Sequence, residues 1–83
     1  MKENVIELIQ ERDHFDVDVY QKTPDNKTKI TRYLELEVDV KNDDLFIQGI
    51  GSFSLDKDKI MVDDLGMIVI DAPHDGVEKI III

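Results

Sequence analysis

Two stretches of the chain alternate apolar and acidic residues one by one, Phe15-Asp16-Val17-Asp18-Val19-Tyr20 and Leu34-Glu35-Leu36-Glu37-Val38-Asp39-Val40. A period of two sends successive side chains to opposite faces of a strand. Neither stretch fits a helix. Together they require a sheet with one apolar face and one face that gathers Asp16, Asp18, Glu35, Glu37 and Asp39.

The chain has 83 residues and a formal net charge of -9, which points to a single domain over residues 1–83. So small a domain buries about 60% of its unfolded surface and needs dense packing or a partner to be stable. It has no cysteine, so disulfides, thiolate metal sites and a cysteine nucleophile are ruled out. The acidic balance opposes direct contact with phosphate backbones and suits a basic protein partner. No stretch approaches the ~20 apolar residues of a membrane helix. Met1-Lys2-Glu3-Asn4-Val5-Ile6-Glu7 mixes acids into its apolar run, unlike a secretory signal. The expected location is the cytoplasm, a host cytoplasm for a phage-encoded chain. Ile, Lys and Asp are abundant and Ala occurs once, at Ala72, a codon bias of AT-rich genomes.

A helix is expected over residues 4–13, with Asn4 as N-cap, Glu7 in capping-box position and Val5, Ile6, Leu8 and Ile9 as its apolar stripe. Strands follow near 15–22, 29–40, 45–55, 59–63, 67–71 and 77–83, separated by short turns rich in Asp, Asn, Gly and Pro. The fold class is therefore α+β: a short N-terminal helix packed on one face of a five- to six-stranded, mainly antiparallel meander. A first turn centred on Asp25-Asn26 pairs Phe15 with Leu36 and Val17 with Leu34. A second centred on Asn42-Asp43 pairs Val40 with Leu45 and Val38 with Ile47. This register sets Gly49 and Gly51 on the inner face, leaving room for the helix. It also sets Asp16 directly against Glu35, a like-charge pair costing up to ~1 kcal/mol.

The outer face then interleaves its carboxylates with Tyr20, Tyr33, Phe46 and Ile50, and two readings stay open: a solvated face that keeps a small sheet soluble, or a docking surface for a basic protein, toward which the aromatic neighbours point. Beyond residue 59 the pattern changes. Ile60-Met61-Val62, Met67-Ile68-Val69-Ile70 and Ile80-Ile81-Ile82-Ile83 are apolar at consecutive positions, as in strands covered on both faces. Either the sheet curls into a partial barrel, or a second copy covers Met61, Ile68, Ile70, Ile81 and Ile82 as a homodimer.

No catalytic, metal or cofactor site is expected. Asp71-Ala72-Pro73-His74-Asp75-Gly76 has the makings of a turn and matches no ligand motif. Asp56-Lys57-Asp58 with Asp63-Asp64 lacks the glycine and the final Glu of a calcium loop. His14 sits where it would partner a helix C-terminus. In size, charge and codon bias the chain looks like the small acidic inhibitors, some of them nucleic-acid mimics, that phages and mobile elements encode. The expected function is a small acidic binding or inhibitor protein, not an enzyme, docking a basic surface through its acidic face. The alternative is an assembly protein that oligomerises through its C-terminal strands.

Overall fold

The computed structural model describes residues 2–71 and 77–83. Among these residues one helix, α1 (Lys2–Gln10), precedes seven strands: β1 (His14–Lys22), β2 (Thr28–Lys41), β3 (Asp44–Ile47), β4 (Gly51–Ser54), β5 (Lys59–Val62), β6 (Ile68–Asp71) and β7 (Val77–Ile82). The strand order is β4-β3-β2-β1-β7-β6-β5, every pairing antiparallel. Two meanders, β1 to β4 and β5 to β7, thus join through the β1–β7 ladder. Ile83 N–H extends that ladder by donating to the Asp16 carbonyl at 2.8 Å.

β4 and β5 lie at opposite ends of this order, yet only residues 55–58 connect them. Seven strands laid flat would hold these edges about 29 Å apart. Five Cα steps reach no more than about 19 Å. The sheet therefore curls into a half-barrel, and α1 bridges its two limbs by packing on β2 and β5. Val5 and Ile9 of α1 enter the same core as Phe15, Val17, Leu45, Phe53, Ile70 and Ile80. The helix starts at Lys2, so Asn4 falls inside its first turn and is not its cap.

The first hairpin departs from the expected register. Its loop is Pro24-Asp25-Asn26, closed where Thr23 N–H donates to the Lys27 carbonyl at 2.8 Å, with Asn26 at φ 64°. A three-residue loop shifts the pairing by one residue, so Val17 faces Tyr33 and Asp18 faces Arg32. Phe15 still faces Leu36 because a β-bulge between these pairs absorbs the difference. The bulge lies at Leu34-Glu35, and Glu35 takes φ 52°. Asp16 and Glu35 are accordingly not opposed as like charges. The Asp16 carboxylate accepts the Glu35 backbone N–H at 3.1 Å, pairing an amide that the ladder leaves out.

A left-handed backbone costs a non-glycine residue about 1 kcal/mol or more. Glu35→Gly is therefore expected to raise unfolding free energy by roughly 0.5–1 kcal/mol, and Glu35→Val to lower it by at least as much, in urea titrations.

The second hairpin holds the expected register, Val40 with Leu45 and Val38 with Ile47. Asn42 and Asp43 both take positive φ, as a two-residue primed turn demands. The run 45–55 is two strands and not one. Gly49, at φ 75°, turns the chain between Ile47 and Gly51. Nothing lies within 4 Å of a Cβ placed at Gly49 or Gly51, so these glycines serve backbone conformation and leave no berth for the helix. The expected 73–76 turn lies outside the described residues, as does most of the Asp71–Gly76 cluster.

The apolar C-terminal strands fill the chain's own core. Ile68, Ile70 and Ile82 are 2% exposed or less, so they supply no oligomer surface. Alternation leaves Met61, Val69 and Ile81 on the outer face in one cross-strand row with Asp18.

Candidate functional site

The outer face of β1, β2 and β3 carries the candidate site. On β2 beyond the bulge, Leu36, Val38 and Val40 turn inward, and Glu37 and Asp39 turn out. Glu37 pairs with His14, and Asp39 pairs with Phe46 on β3. The Gln48 side chain accepts from Glu37 N–H at 3.1 Å, and Gln48 N–H donates to the Glu37 carbonyl at 3.0 Å, pinning β2 just past the bulge.

Of the expected contact residues, Asp16, Glu35, Glu37, Asp39 and Phe46 come together here. Phe46 is 43% exposed. Leu34, 66% exposed, joins them because the bulge exchanges the faces of Tyr33 and Leu34. Alternation alone assigned Leu34 to the core, and nothing in Leu-Glu-Leu-Glu announces the extra residue.

Four expected members stand apart. Asp18 is buried at 8% exposure and bound by Arg32, whose Nε and Nη2 donate to its two carboxylate oxygens at 2.7 and 2.9 Å. The Arg32 hydrogen bond holds the Asp18 carboxyl below the ordinary carboxylate range, against the opposing effect of burial. Its charge is spent within the chain. Tyr20 lies on the outer face nearer the hairpin tip, with the Lys79 ammonium 4.7 Å from its ring centre. Tyr33 shares the inner face with Val17. Ile50 packs against the core from the β3–β4 turn.

Arg12, Asp13, His14, Glu37, Val38 and Asp39 line an open depression of about 350 Å³. Arg12 is its one guanidinium, and it is engaged elsewhere: it donates to the Ile83 carbonyl at 2.6 Å and stacks 4.3 Å from the Phe15 ring centre. His14 Nε2 lies 3.9 Å from the Glu37 carboxylate, so this histidine faces the acidic strand and not the helix end. Asp39 accepts the Val40 N–H at 2.8 Å. Among the described residues, no lysine or arginine forms an ion pair with Asp13, Glu37 or Asp39. The depression is thus an acidic recess with an aromatic neighbour in Phe46.

The Asp56-Lys57-Asp58 segment is a turn built on Ser54. The Ser54 hydroxyl accepts from the amides of Asp56 and Lys57, and the Asp58 carboxylate accepts the Ser54 amide at 2.8 Å. Asp63 does the same work at the β5–β6 turn, accepting from the amides of Leu65 and Met67. Both acids are used by their own backbone, and among the described residues no three His, Asp or Glu side chains are placed together so as to hold a metal ion. No helix among the described residues is long and apolar enough to cross a membrane.

Compared with known proteins, the chain matches no family model, no curated protein and no solved structure.

Proposed function

We propose that the chain is a small acidic binding module, not an enzyme, that docks a basic protein surface through the outer face of β1, β2 and β3. The observation that carries this reading is the recess of Asp13, Glu37 and Asp39, whose carboxylates have no Lys or Arg ion pair among the described residues and which lies beside exposed Phe46. An Arg or Lys side chain entering it would gain several carboxylates at once. Leu34 and Phe46 would supply the apolar contact that interface centres use. Inhibition of a nucleic-acid-binding protein is one form of this function, because alternate residues of a strand stand about 6.5–7 Å apart, near the spacing of phosphates.

The test is capture from a bacterial lysate with the wild-type chain and with Asp13→Asn/Glu37→Gln/Asp39→Asn. The expected result is a defined partner held by the wild type, released as salt rises, and bound at least ~10-fold more weakly by the variant. The variant's own stability should stay within about 0.5 kcal/mol of wild type, since these are exposed charges. Equal binding by both chains at every salt concentration would contradict the assignment.

A further inference from the structure

The strand that carries the acidic recess is paired on both sides over only part of its length. β3 pairs with β2 from Val38 to Lys41, and Gln48 adds Glu37. From Thr28 to Glu35, β2 has β1 on one side and, among the described residues, no strand on the other. Pairing in the first hairpin starts from the hydrogen-bonded Thr23–Lys27 pair. Antiparallel ladders alternate hydrogen-bonded and non-hydrogen-bonded pairs. Lys29, Thr31 and Tyr33 therefore direct their backbone groups to β1, and Thr28, Ile30 and Arg32 direct theirs to the open side. This edge is apolar as well as open, with Ile30 55% and Tyr33 41% exposed.

We propose that the open edge of β2 pairs with the same edge of a second copy of the chain, antiparallel about a two-fold axis at Ile30. A second copy fits for three reasons. The register makes Ile30 meet Ile30 of the other copy, and Thr28 meet Arg32. On the inner face it sets Tyr33 against Lys27 and Lys29 against Thr31, so each exposed apolar side chain of the edge gains cover. The lengths match: the Pro24–Asn26 loop of one copy falls beside Leu34–Leu36 of the other, ending the pairing just short of Gln48, where β3 takes over the edge. The charges also permit it. Arg32 is neutralised by Asp18, which leaves Lys29, among the described residues, as the one uncompensated charge between residues 28 and 34; Asp25, which the register sets beside Glu35 of the other copy at the end of the pairing, has Lys27 at 3.8 Å. This dimer uses a different surface from β5, β6 and β7.

An edge pairing of this length buries well below the ~800 Å² per partner of a stable complex, so the dimer is weak and concentration-dependent. Two copies of a chain with net charge -9 repel each other, so salt strengthens the pairing, opposite in sign to acidic docking. The test uses sedimentation velocity between about 10 μM and about 1 mM at low and high salt. A monomer–dimer equilibrium that shifts toward dimer in high salt is expected. Strictly monomeric behaviour at the top concentration overturns the proposal and leaves the edge to solvent or to an extended segment of another protein.

The register has its own test, because the chain has no cysteine. Two-fold-related Ile30→Cys thiols sit on Cα atoms about 5.5 Å apart, within disulfide reach. Thr28→Cys thiols are separated by roughly 14 Å along the strands. Ile30→Cys should therefore crosslink at least ~10-fold faster than Thr28→Cys in glutathione buffer. Equal rates overturn the register. Ile30→Pro removes an amide that β1 does not use, so it should fold and remain monomeric. If it fails to fold, the cysteine pair still decides.

Discussion

Ile70→Ala is expected to lower the unfolding free energy by about 3–4 kcal/mol, and Ile81→Ala by about 1 kcal/mol or less. Ile70 is completely buried in the shared core. Ile81, on the neighbouring strand, looks out from the convex face beside Val69 and Asp18. At 0.05–0.15 kcal/mol per residue the whole fold is worth on the order of 4–12 kcal/mol, so the first change removes a large share of it. Urea denaturation of the two variants at one protein concentration checks this. If the C-terminal strands were instead an oligomer interface, the Ile70→Ala loss would fall as protein concentration rises. A constant loss identifies a core residue.

The second large effect concerns the Asp18–Arg32 pair. Arg32→Met strands a buried carboxylate on the outer face, and Tm is expected to fall by roughly 5–10 °C near neutral pH. The half-exposed Arg32 side chain keeps this below the full cost of a deeply buried pair. The pH dependence has a definite sign. Asp18 titrates lower in the fold than its unfolded value near 3.9, because Arg32 stabilises its ionised form. Its contribution is therefore complete above the unfolded value and disappears as pH falls through the lower folded value. The Tm gap between wild type and Arg32→Met should hold between about pH 5 and 8 and narrow below about pH 4. A gap that persists unchanged at about pH 2 would show that Arg32 acts through packing and not through its charge.

The same pair shows how far the sequence reaches. Alternation placed Asp16 and Asp18 on one face, and both are there. It could not say who stands opposite, because that depends on one residue of turn length. With a two-residue turn Asp18 would face Tyr33. With the three-residue loop that Asn26 closes in a left-handed conformation it faces Arg32 and is buried. The Asn42-Asp43 turn was readable because both residue types accept positive φ at adjacent positions. The Gly49 turn was hidden inside an apolar run, Phe46-Ile47-Gln48-Gly49-Ile50, that has the composition of a continuous strand. The consecutive apolar residues of the C-terminal strands suggested cover on two sides, but the curl of the sheet buries one face, with Ile68, Ile70 and Ile82, and leaves Met61, Val69 and Ile81 on the other. Of the candidate site, the carboxylates were legible as a periodic pattern. Leu34 and the recess around Asp13 were not, because a bulge and the approach of the α1–β1 connection to β2 created them.

Docking through the acidic recess is the central claim, and amide hydrogen exchange on the complex with the captured partner tests it most directly. Exchange should slow at Leu34–Asp39 and Phe46, and around Asp13 and His14, while Met61 and Val69 on the far limb stay as in the free chain. Protection at Met61 and Val69 with none at Glu37, Asp39 and Phe46 would contradict it.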